Sequence, residues 1–241
     1  MNRVIAIIPT RMGSTRFPGK ALASETGRPL VLHVVDAVLQ AARVNCVVVA
    51  SEDAEIEAAC RQAGVEHVMT ANTHPNGSSR MAEVAAGLEA DVFLNVQGDE
   101  PEIDPTTIDA TLEALAAMPS AGVATAAAPL GSEDDLKDPN IVKVVTALDG
   151  SAIYFSRAPI PTGVGTPLRH VGLYAFRPDV LASYPSLPPT PLEQSERLEQ
   201  LRLIEHGIQV AVARVESSPP GIDTPEQYAA FVARWQADHP N

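Results

Sequence analysis

Cysteine is scarce in this chain, which has only Cys46 and Cys60 among its 241 residues. Two cysteines cannot form the disulfide framework of a small secreted domain. Both lie in apolar segments at a spacing that no metal motif uses, so we interpret them as reduced core thiols. Aromatic residues are also few, at 4%, and we infer no function from that bias.

Long hydrophobic runs are lacking too, and none approaches the roughly 20 residues of a membrane span. The first apolar run, residues 4–8, is too short to be the core of a signal peptide. Lys and Arg number 17 against 30 Asp and Glu, and the net charge of −13 argues against a nucleic-acid or membrane-surface partner. We therefore expect a cytoplasmic protein.

Against this acidic background, positive charge is concentrated in residues 8–20, IPTRMGSTRFPGK. The apolar run over 4–8 predicts a buried strand before this segment, and helically spaced apolar residues over 30–42 predict a helix after it. Glycines let the backbone approach an anion, and cations donate charge-assisted hydrogen bonds to it. The segment therefore predicts a polyphosphate-binding loop that contains Arg11, Gly13, Ser14, Arg16, Gly19 and Lys20.

This loop is not a P-loop, because five residues rather than four separate Gly13 from Gly19. In addition, Ala21 stands where a P-loop has the Ser or Thr that binds magnesium. A GxGxxG motif is also missing from the sequence. The loop therefore belongs to another class of phosphate site.

The first half of the chain alternates predicted strands, over 4–8, 45–50, 66–69 and 91–96, with predicted helices, over 30–42, 53–63, 79–88 and 106–118. This alternation predicts a parallel sheet with helices on both faces. Asp53 and Thr106 are predicted N-caps. Arg11 and Asp99 follow strand ends, where ligands bind in open α/β sheets, so we expect them to share one crevice.

After Gly122 the pattern changes to short predicted strands over 123–127, 142–146, 152–156 and 170–176, separated by turns rich in Pro and Gly. Residues 159–167 predict a flexible loop. A helix over 191–206, a strand over 209–213 and a helix over 224–237 are predicted to complete the chain. We expect one nucleotide-binding α/β domain with a mixed-sheet extension.

Six further segments occur in order: NVQGDEP at 95–101, PNIVKVV at 139–145, YFSRAPIP at 154–161, RHVGLYAF at 169–176, LEQLR at 198–202 and GIDTPE at 221–226. Together with the loop, they resemble the CTP-dependent sugar nucleotidyltransferases, and specifically the family of 3-deoxy-manno-octulosonate cytidylyltransferases (CMP-Kdo synthetases). The resemblance extends from Ile5 to about Tyr228.

The resemblance implies a Rossmann-like nucleotidyltransferase fold, an α/β fold with a mainly parallel sheet and a smaller mixed-sheet extension. A single domain over 1–241 would comprise a nucleotide-binding core (about 1–121), a sugar-binding and dimerisation extension (about 122–190) and a C-terminal part that returns to the core (about 191–241). The implied partners are CTP, the acidic sugar 3-deoxy-manno-octulosonate (Kdo) and, in a homodimer, a second copy of the chain.

The implied reaction transfers CMP from CTP to Kdo, giving CMP-Kdo and pyrophosphate for lipopolysaccharide synthesis. A cytidylyltransferase for another acidic substrate, such as a nonulosonate, 8-amino-Kdo or a phosphonate, is also compatible with the sequence. Ser79 and a short loop over 160–169 keep this second reaction open, because both depart from the family pattern. A uridylyl- or thymidylyltransferase and an inactive nucleotide-binding protein are compatible with the sequence as well.

A magnesium site is predicted at the acidic segment that leaves strand 91–96. Asp99 lies at this strand end, and Mg²⁺ is commonly held by one or two carboxylates together with phosphate oxygens. The resemblance adds Asp223 as the second ligand, although Asp223 is also a good N-cap for the last helix. Glu100 and Glu102 are weaker candidates, because Pro101 between them turns them apart. The resemblance implies catalytic roles for Lys20, Asp99 and Asp223.

The resemblance assigns cytosine contacts to residues 73–80. The predicted nucleotide-binding residues are then Arg11, Gly13, Ser14, Arg16 and Lys20 in the loop, with Gly77, Ser78, Arg80 and Gln97. The family usually has an acidic residue before the arginine, whereas this chain has Ser79. We interpret His74 as a surface residue of this loop.

A pocket for an acid sugar needs a cation and several hydroxyl partners. Arg157 fits the first need, because a guanidinium binds a carboxylate through two parallel hydrogen bonds. His170 and Tyr174 lie four residues apart on a predicted strand and so face the same side. Tyr174 could instead be a core aromatic and Glu199 a solvated helix residue. The predicted sugar-binding residues are Gln97, Arg157, His170, Tyr174, Glu199 and Gln200.

Overall fold

The computed structural model describes residues 3–163, 166–217, 219 and 221–239, and nine strands form one sheet within them. The strands are β1 (Val4–Pro9), β2 (Cys46–Ser51), β3 (Glu66–Met69), β4 (Val92–Asn95), β5 (Val123–Pro129), β6 (Lys143–Thr146), β7 (Ala152–Ser156), β8 (Leu168–Phe176) and β9 (Val210–Arg214). Their main path runs β3-β2-β1-β4-β8-β5-β9. All nine predicted strands occur, and the α/β fold with a mainly parallel first half is confirmed.

The helices are α1 (Leu30–Leu39), α2 (Ala54–Gln62), α3 (Gly77–Ala85), α4 (Pro105–Ala117), α5 (Glu133–Lys137), α6 (Pro178–Ser183), α7 (Pro191–Glu196), α8 (Gln200–Glu205) and α9 (Pro225–Asp238). The prediction of one helix over 191–206 was wrong, because Arg197 takes a left-handed conformation (φ 55°) that ends α7. Thr106 is not an N-cap. Asp104 caps α4 instead, and its side chain accepts a hydrogen bond from the Thr106 N–H at 2.8 Å. The short helices α5 and α6 were not predicted.

Strand β1 lies in the middle of the parallel half of the sheet. It pairs in parallel with β2 on one side and β4 on the other, and β2 pairs in parallel with β3. All six residues of β1 are buried, as expected for a parallel strand covered by helices on both faces. The carboxyl ends of β1 and β4 are therefore neighbours at one edge of the sheet, and the segments that follow them meet there.

Strand β8 connects the two halves of the chain. It runs antiparallel to β4 and β5, while β9 adds to β5 in parallel. Strand β6 pairs antiparallel with both β7 and β8. The strands after Gly122 thus belong to the same sheet as the first four. Within the predicted flexible loop over 159–167, Val164 and Gly165 lie outside the described residues.

The two faces of the sheet carry separate apolar cores. One core contains Ile8, Val34 and Leu112, and the other contains Ile7, Met81 and Tyr184. A third cluster, which includes Leu30, Ile222 and Phe231, packs α9 against the start of α1. Cys60 is buried, Cys46 is partly buried and both are free thiols, as predicted. In the described part of the chain, no helix combines the length and the apolarity that crossing a bilayer requires.

Candidate active site

A cleft of about 330 Å³ opens where β1 and β4 end. Nine of the predicted site residues line it, which confirms that the basic loop and the acidic segment share one crevice: Arg11, Ser14, Arg16, Lys20, Gly77, Arg80, Gln97, Asp99 and Asp223. Of the described residues predicted to bind nucleotide, Gly13 and Ser78 do not line it. Gly13 is exposed, and a side chain at its Cα would meet no atom within 4 Å, so nothing in the fold requires glycine there.

The floor of the cleft requires a glycine at position 98. A methyl group on Gly98 would lie 2.9 Å from Cβ of Thr10 and 3.2 Å from the carbonyl oxygen of Pro9. The first distance is shorter than Cβ atoms show and the second is tight, so any other residue would force the acidic segment and the end of β1 apart. This close approach brings Asp99 beside the basic loop.

Lys20 lies at the centre of the site. Its Nζ is 2.6 Å from Oδ2 of Asp99 and 3.4 Å from Oδ1 of Asp223, and it donates to the carbonyl oxygen of Ile222 at 2.9 Å. The Lys20 side chain is only 14% exposed. Arg16 approaches the same Asp223 oxygen at 2.9 Å from the solvent side. Two carboxylates and two cations thus meet at one end of the cleft.

Asp223 does not cap the last helix. Thr224 is the N-cap of α9, where its hydroxyl accepts from the Gln227 N–H at 3.3 Å. The Asp223 carboxylate instead faces Lys20 and Arg16. The interpretation of Asp223 as an N-cap is therefore excluded, and its side chain is available to the cleft.

The donor set of this site suits a hard divalent cation. Asp99 and Asp223 approach the same lysine nitrogen, so their oxygens converge on one position, and Mg²⁺ accepts one or two carboxylates plus phosphate oxygens and water. Glu102 points elsewhere, because it binds Arg234 at 2.9 Å. Among the described residues, no cluster of three or more His, Cys, Asp or Glu side chains forms a closed metal cage. The residues that would hold the ion are Asp99 and Asp223.

The opposite wall of the cleft is the start of α3. Asn76 caps this helix by accepting from the Ser79 N–H at 2.9 Å, and a side chain on Gly77 would crowd Pro9. Arg80 is 5% exposed, pairs with Glu52 and donates to the Thr70 hydroxyl. Position 79, where the family usually has an acidic residue, is Ser79 here, and the carboxylate that pairs with Arg80 is Glu52, just after β2. Sequence reasoning missed this pair.

His74 is not a free surface residue, and our interpretation of it as one was wrong. Its side chain is 16% exposed, lines the cleft and pairs with Glu83 of α3. The hydrogen bond from His74 lowers the pKa of Glu83. The pair fixes the loop before α3 to the helix itself, because it joins positions nine residues apart.

The aromatic strand β8 adjoins the acidic segment. A methyl group on Gly172 would lie 3.3 Å from Oε1 of Glu100 and 3.7 Å from Cγ of Gln97. Burial, and then the neighbouring Asp99 carboxylate, raise the pKa of Glu100 to about 8. Gln97 lies between this strand and the cleft and donates to Oδ1 of Asn95 at 3.2 Å.

His170 and Tyr174 face the same side of β8, as predicted, with ring centres 5.4 Å apart. The Thr125 hydroxyl lies 2.9 Å from Nε2 of His170. Burial lowers the pKa of His170 to about 3, so this ring is neutral at neutral pH. Burial and the Glu199 carboxylate raise the pKa of Tyr174, which is 5% exposed. Both side chains are therefore uncharged hydrogen-bonding groups.

The helical break at Arg197 brings Glu199 towards β8 and α3. The Tyr184 hydroxyl donates to Oε2 of Glu199 at 3.4 Å, and Ser78 also hydrogen-bonds this carboxylate. Burial raises the pKa of Glu199, so it is not a solvated helix residue. Gln200 follows at the start of α8 and is 4% exposed. Ser78, predicted to bind nucleotide, thus meets the predicted sugar side of the site.

Arg157 is held by backbone groups. Its Nε donates to the carbonyl oxygen of Glu196 at 3.0 Å and its Nη1 to that of Pro139 at 2.9 Å. The Glu196 carboxylate also accepts from the Arg157 N–H at 2.9 Å. The guanidinium is therefore fixed in place between β7 and α7.

Comparison with known proteins identifies the family. The sequence profile described as Cytidylyltransferase matches residues 5–211. A 3-deoxy-manno-octulosonate cytidylyltransferase of Trichlorobacter lovleyi is 42% identical over 239 residues, covering 93% of this chain and 95% of that protein. The enzyme of the same name from Azorhizobium caulinodans is 46% identical and covers 92% of each chain.

This chain belongs to the 3-deoxy-manno-octulosonate cytidylyltransferase family. A solved structure agrees: CMP:2-keto-3-deoxy-manno-octonic acid synthetase complexed with CTP superposes with a TM-score of 0.94 at 39% identity, covering 98% of this chain and 99% of that one. The family relationship that the motifs indicated is confirmed, and with it the nucleotidyltransferase fold.

Proposed function

We propose that this cytidylyltransferase transfers CMP from CTP to Kdo and releases pyrophosphate. The observation that carries the proposal is the convergence of Lys20, Asp99 and Asp223 beside the basic loop. It provides both a cationic wall for a triphosphate and a pair of carboxylates for its metal ion. We take CTP and Kdo as the substrates because the relatives, which are similar to this chain over almost its whole length, are named for them.

The nucleotide is proposed to lie along the cleft. Arg11, Arg16 and Lys20 would neutralise the triphosphate, with the Ser14 hydroxyl and the loop N–H groups assisting. Arg80 and the start of α3 would face the base. Mg²⁺ held by Asp99 and Asp223 would supply further charge neutralisation and lower the pKa of the attacking hydroxyl.

Kdo is proposed to bind between the cleft and β8. His170 and Tyr174, both uncharged, would contact its hydroxyl groups, as would Gln97, Glu199 and Gln200. The fixed guanidinium of Arg157 would pair with the sugar carboxylate. The anomeric hydroxyl then attacks the α-phosphorus in line with the leaving pyrophosphate, and positioning and charge neutralisation provide most of the rate enhancement.

We also infer a homodimer formed through residues 122–190, with the reaction located in the cytoplasm. Two large apolar side chains of the β6–β7 region would be covered by such an interface, since Leu148 is fully exposed and Ile153 is 56% exposed. Sedimentation of the wild type beside a Leu148→Glu variant tests the dimer. A monomeric wild type would contradict it.

Pyrophosphate release from CTP, measured with a panel of acidic acceptors, tests the proposed reaction. The panel contains Kdo, 8-amino-Kdo, a nonulosonate and a phosphonate, and mass spectrometry identifies the nucleotide product. We expect Mg²⁺-dependent turnover with Kdo, and weaker turnover when UTP replaces CTP. Turnover with a different acid but not with Kdo would show that Kdo is the wrong acceptor, while cytidylyl transfer would stand. If no acceptor gives pyrophosphate, both the acceptor and the reaction are contradicted.

A further inference from the structure

The turn that connects β2 to α2 contacts both walls of the cleft through two adjacent carboxylates. Oδ2 of Asp53 accepts from the Met12 N–H at 2.8 Å, across 41 residues of sequence. Glu52 pairs with the Arg80 guanidinium on the other wall. Neither carboxylate lines the cleft itself, and their contacts reach it through Met12 and Arg80.

The backbone of Met12 makes hydrogen bonds that connect the basic loop internally and to the turn after β2. Its carbonyl oxygen accepts from the Ser14 N–H at 2.9 Å and from the Gly19 N–H at 3.1 Å, which joins the two ends of the loop. Its N–H is the group that Asp53 binds. The hydrogen bond to Asp53 therefore fastens the basic loop, at Met12, to the turn that follows β2.

Asp53 makes this bond in place of an ordinary helix cap. It occupies the N-cap position of α2, yet its side chain caps no N–H of that helix. An N-cap aspartate normally accepts from the first turn of its own helix. Here Oδ2 of Asp53 binds the basic loop instead. Asp53 therefore has a role in positioning the loop rather than in starting the helix.

Glu52 supplies the counter-charge that holds Arg80. The Arg80 side chain is 6% exposed and that of Glu52 is 25% exposed. A buried guanidinium without a partner is strongly unfavourable, so the carboxylate determines where the guanidinium lies. Ser79 cannot replace it, because the Ser79 hydroxyl donates to the Asn76 carbonyl at 2.9 Å.

We propose that the β2–α2 turn positions both sides of the nucleotide: Asp53 positions the basic loop through Met12, and Glu52 positions Arg80. The proposal rests on the proposed function, since it takes the cleft as the CTP site. Both are positioning residues: Glu52 acts through Arg80, which lines the cleft, and Asp53 acts through Met12, whose loop neighbours Arg11 and Ser14 line it. They act on different parts of the nucleotide, which makes their effects separable.

Calorimetry and steady-state kinetics on Asp53→Ala and Asp53→Asn test the first half. Asp53→Ala should raise KM for CTP and Kd for CTP about tenfold, a typical effect of losing one charge-assisted hydrogen bond. Affinity for CMP, which lacks the two distal phosphates, should change less. Asp53→Asn retains an acceptor oxygen and should raise KM less than Asp53→Ala does.

Glu52→Gln and Glu52→Asp test the second half. Because Arg80 lies on the wall opposite the basic loop, Glu52→Gln should weaken CTP and CMP by the same factor. Glu52→Asp keeps the charge with a shorter reach, so a smaller but equal loss for both nucleotides is expected. If Glu52→Gln does not fold while folded Glu52→Asp binds CTP as the wild type does, Glu52 serves stability alone and this half is overturned.

Asp109→Ala is the matched control, because Asp109 also anchors a distant backbone segment by accepting from Ala42 and Arg43 N–H groups at 3.0 Å. It should lower the melting temperature and leave both nucleotide affinities unchanged. An Asp53→Ala variant that behaves like this control would overturn the role of Asp53. A wild type that binds no CTP would instead contradict the proposed function, before any variant is compared.

Discussion

The ammonium group of Lys20 joins Asp99 to a second carboxylate, lying 2.6 Å from Asp99 and 3.4 Å from Asp223. These two aspartates come from the middle and the end of the chain, so one lysine connects three distant segments. The lysine also reduces the repulsion between the two aspartates. It is fixed at the end of the basic loop, where a triphosphate would meet it.

Lys20→Ala should weaken CTP about 10- to 100-fold and CMP by a much smaller factor. Its charge is proposed to face the β- and γ-phosphates, and hydrogen bonds to charged groups contribute about 1.5–3 kcal/mol. Calorimetry with both nucleotides measures the difference. Lys137→Ala, at the exposed end of α5, should change neither affinity. Equal losses for CTP and CMP would place Lys20 away from the distal phosphates.

Arg157→Lys should raise KM for Kdo about tenfold or more and leave KM for CTP nearly unchanged. Lysine keeps the charge but loses the planar guanidinium, which holds the two backbone carbonyls and would bind the sugar carboxylate. Kinetics with each substrate varied separately provide the test. If KM for CTP rises instead, Arg157 belongs to the nucleotide side.

Arg177→Lys is the control for this substitution. The Arg177 guanidinium also donates to two backbone carbonyls, Ala121 at 2.7 Å and Leu115 at 3.2 Å. Its replacement should lower the melting temperature without changing either KM. If Arg157→Lys shows the same behaviour, the guanidinium of Arg157 is structural.

The free energy of unfolding should fall below pH 6.5 partly because of His170. Its pKa is about 3 in the folded protein and about 6.5 when unfolded, so between these values only the unfolded chain binds the proton. Stability is therefore lost as pH falls from about 6.5 towards 3, at up to about 1.4 kcal/mol per pH unit. Urea unfolding at pH 7 and pH 5.5 should show a smaller decrease for His170→Gln. If the wild type and His170→Gln lose the same free energy of unfolding, the pKa of His170 is not lowered by folding.

Much of the fold could be predicted because it has local causes. Buried parallel strands such as β1 consist of uninterrupted apolar residues, and the βα alternation determines which strand ends are neighbours. The same alternation is enough to place Arg11 and Asp99 in one crevice. The same-side geometry of His170 and Tyr174 follows from the two-residue period of a strand.

The features that could not be predicted depend on contacts between distant segments. No local pattern indicates that Glu52 pairs with Arg80, or that the Asp53 side chain binds Met12 rather than the first turn of its own helix. The break at Arg197 was missed because its left-handed backbone is uncommon for a residue other than glycine. The pairing of His74 with Glu83 likewise required the structure.

Turnover of Asp99→Asn across a Mg²⁺ titration tests most directly whether Lys20, Asp99 and Asp223 form the reacting centre. Even indirect partners of a metal ion contribute about 10- to 100-fold to activity, so loss of a direct ligand should reduce turnover by about 100-fold or more. The melting temperature should stay near that of the wild type, and Asp109→Asn should remain active. Near-normal turnover of folded Asp99→Asn at ordinary Mg²⁺ concentrations would contradict the account.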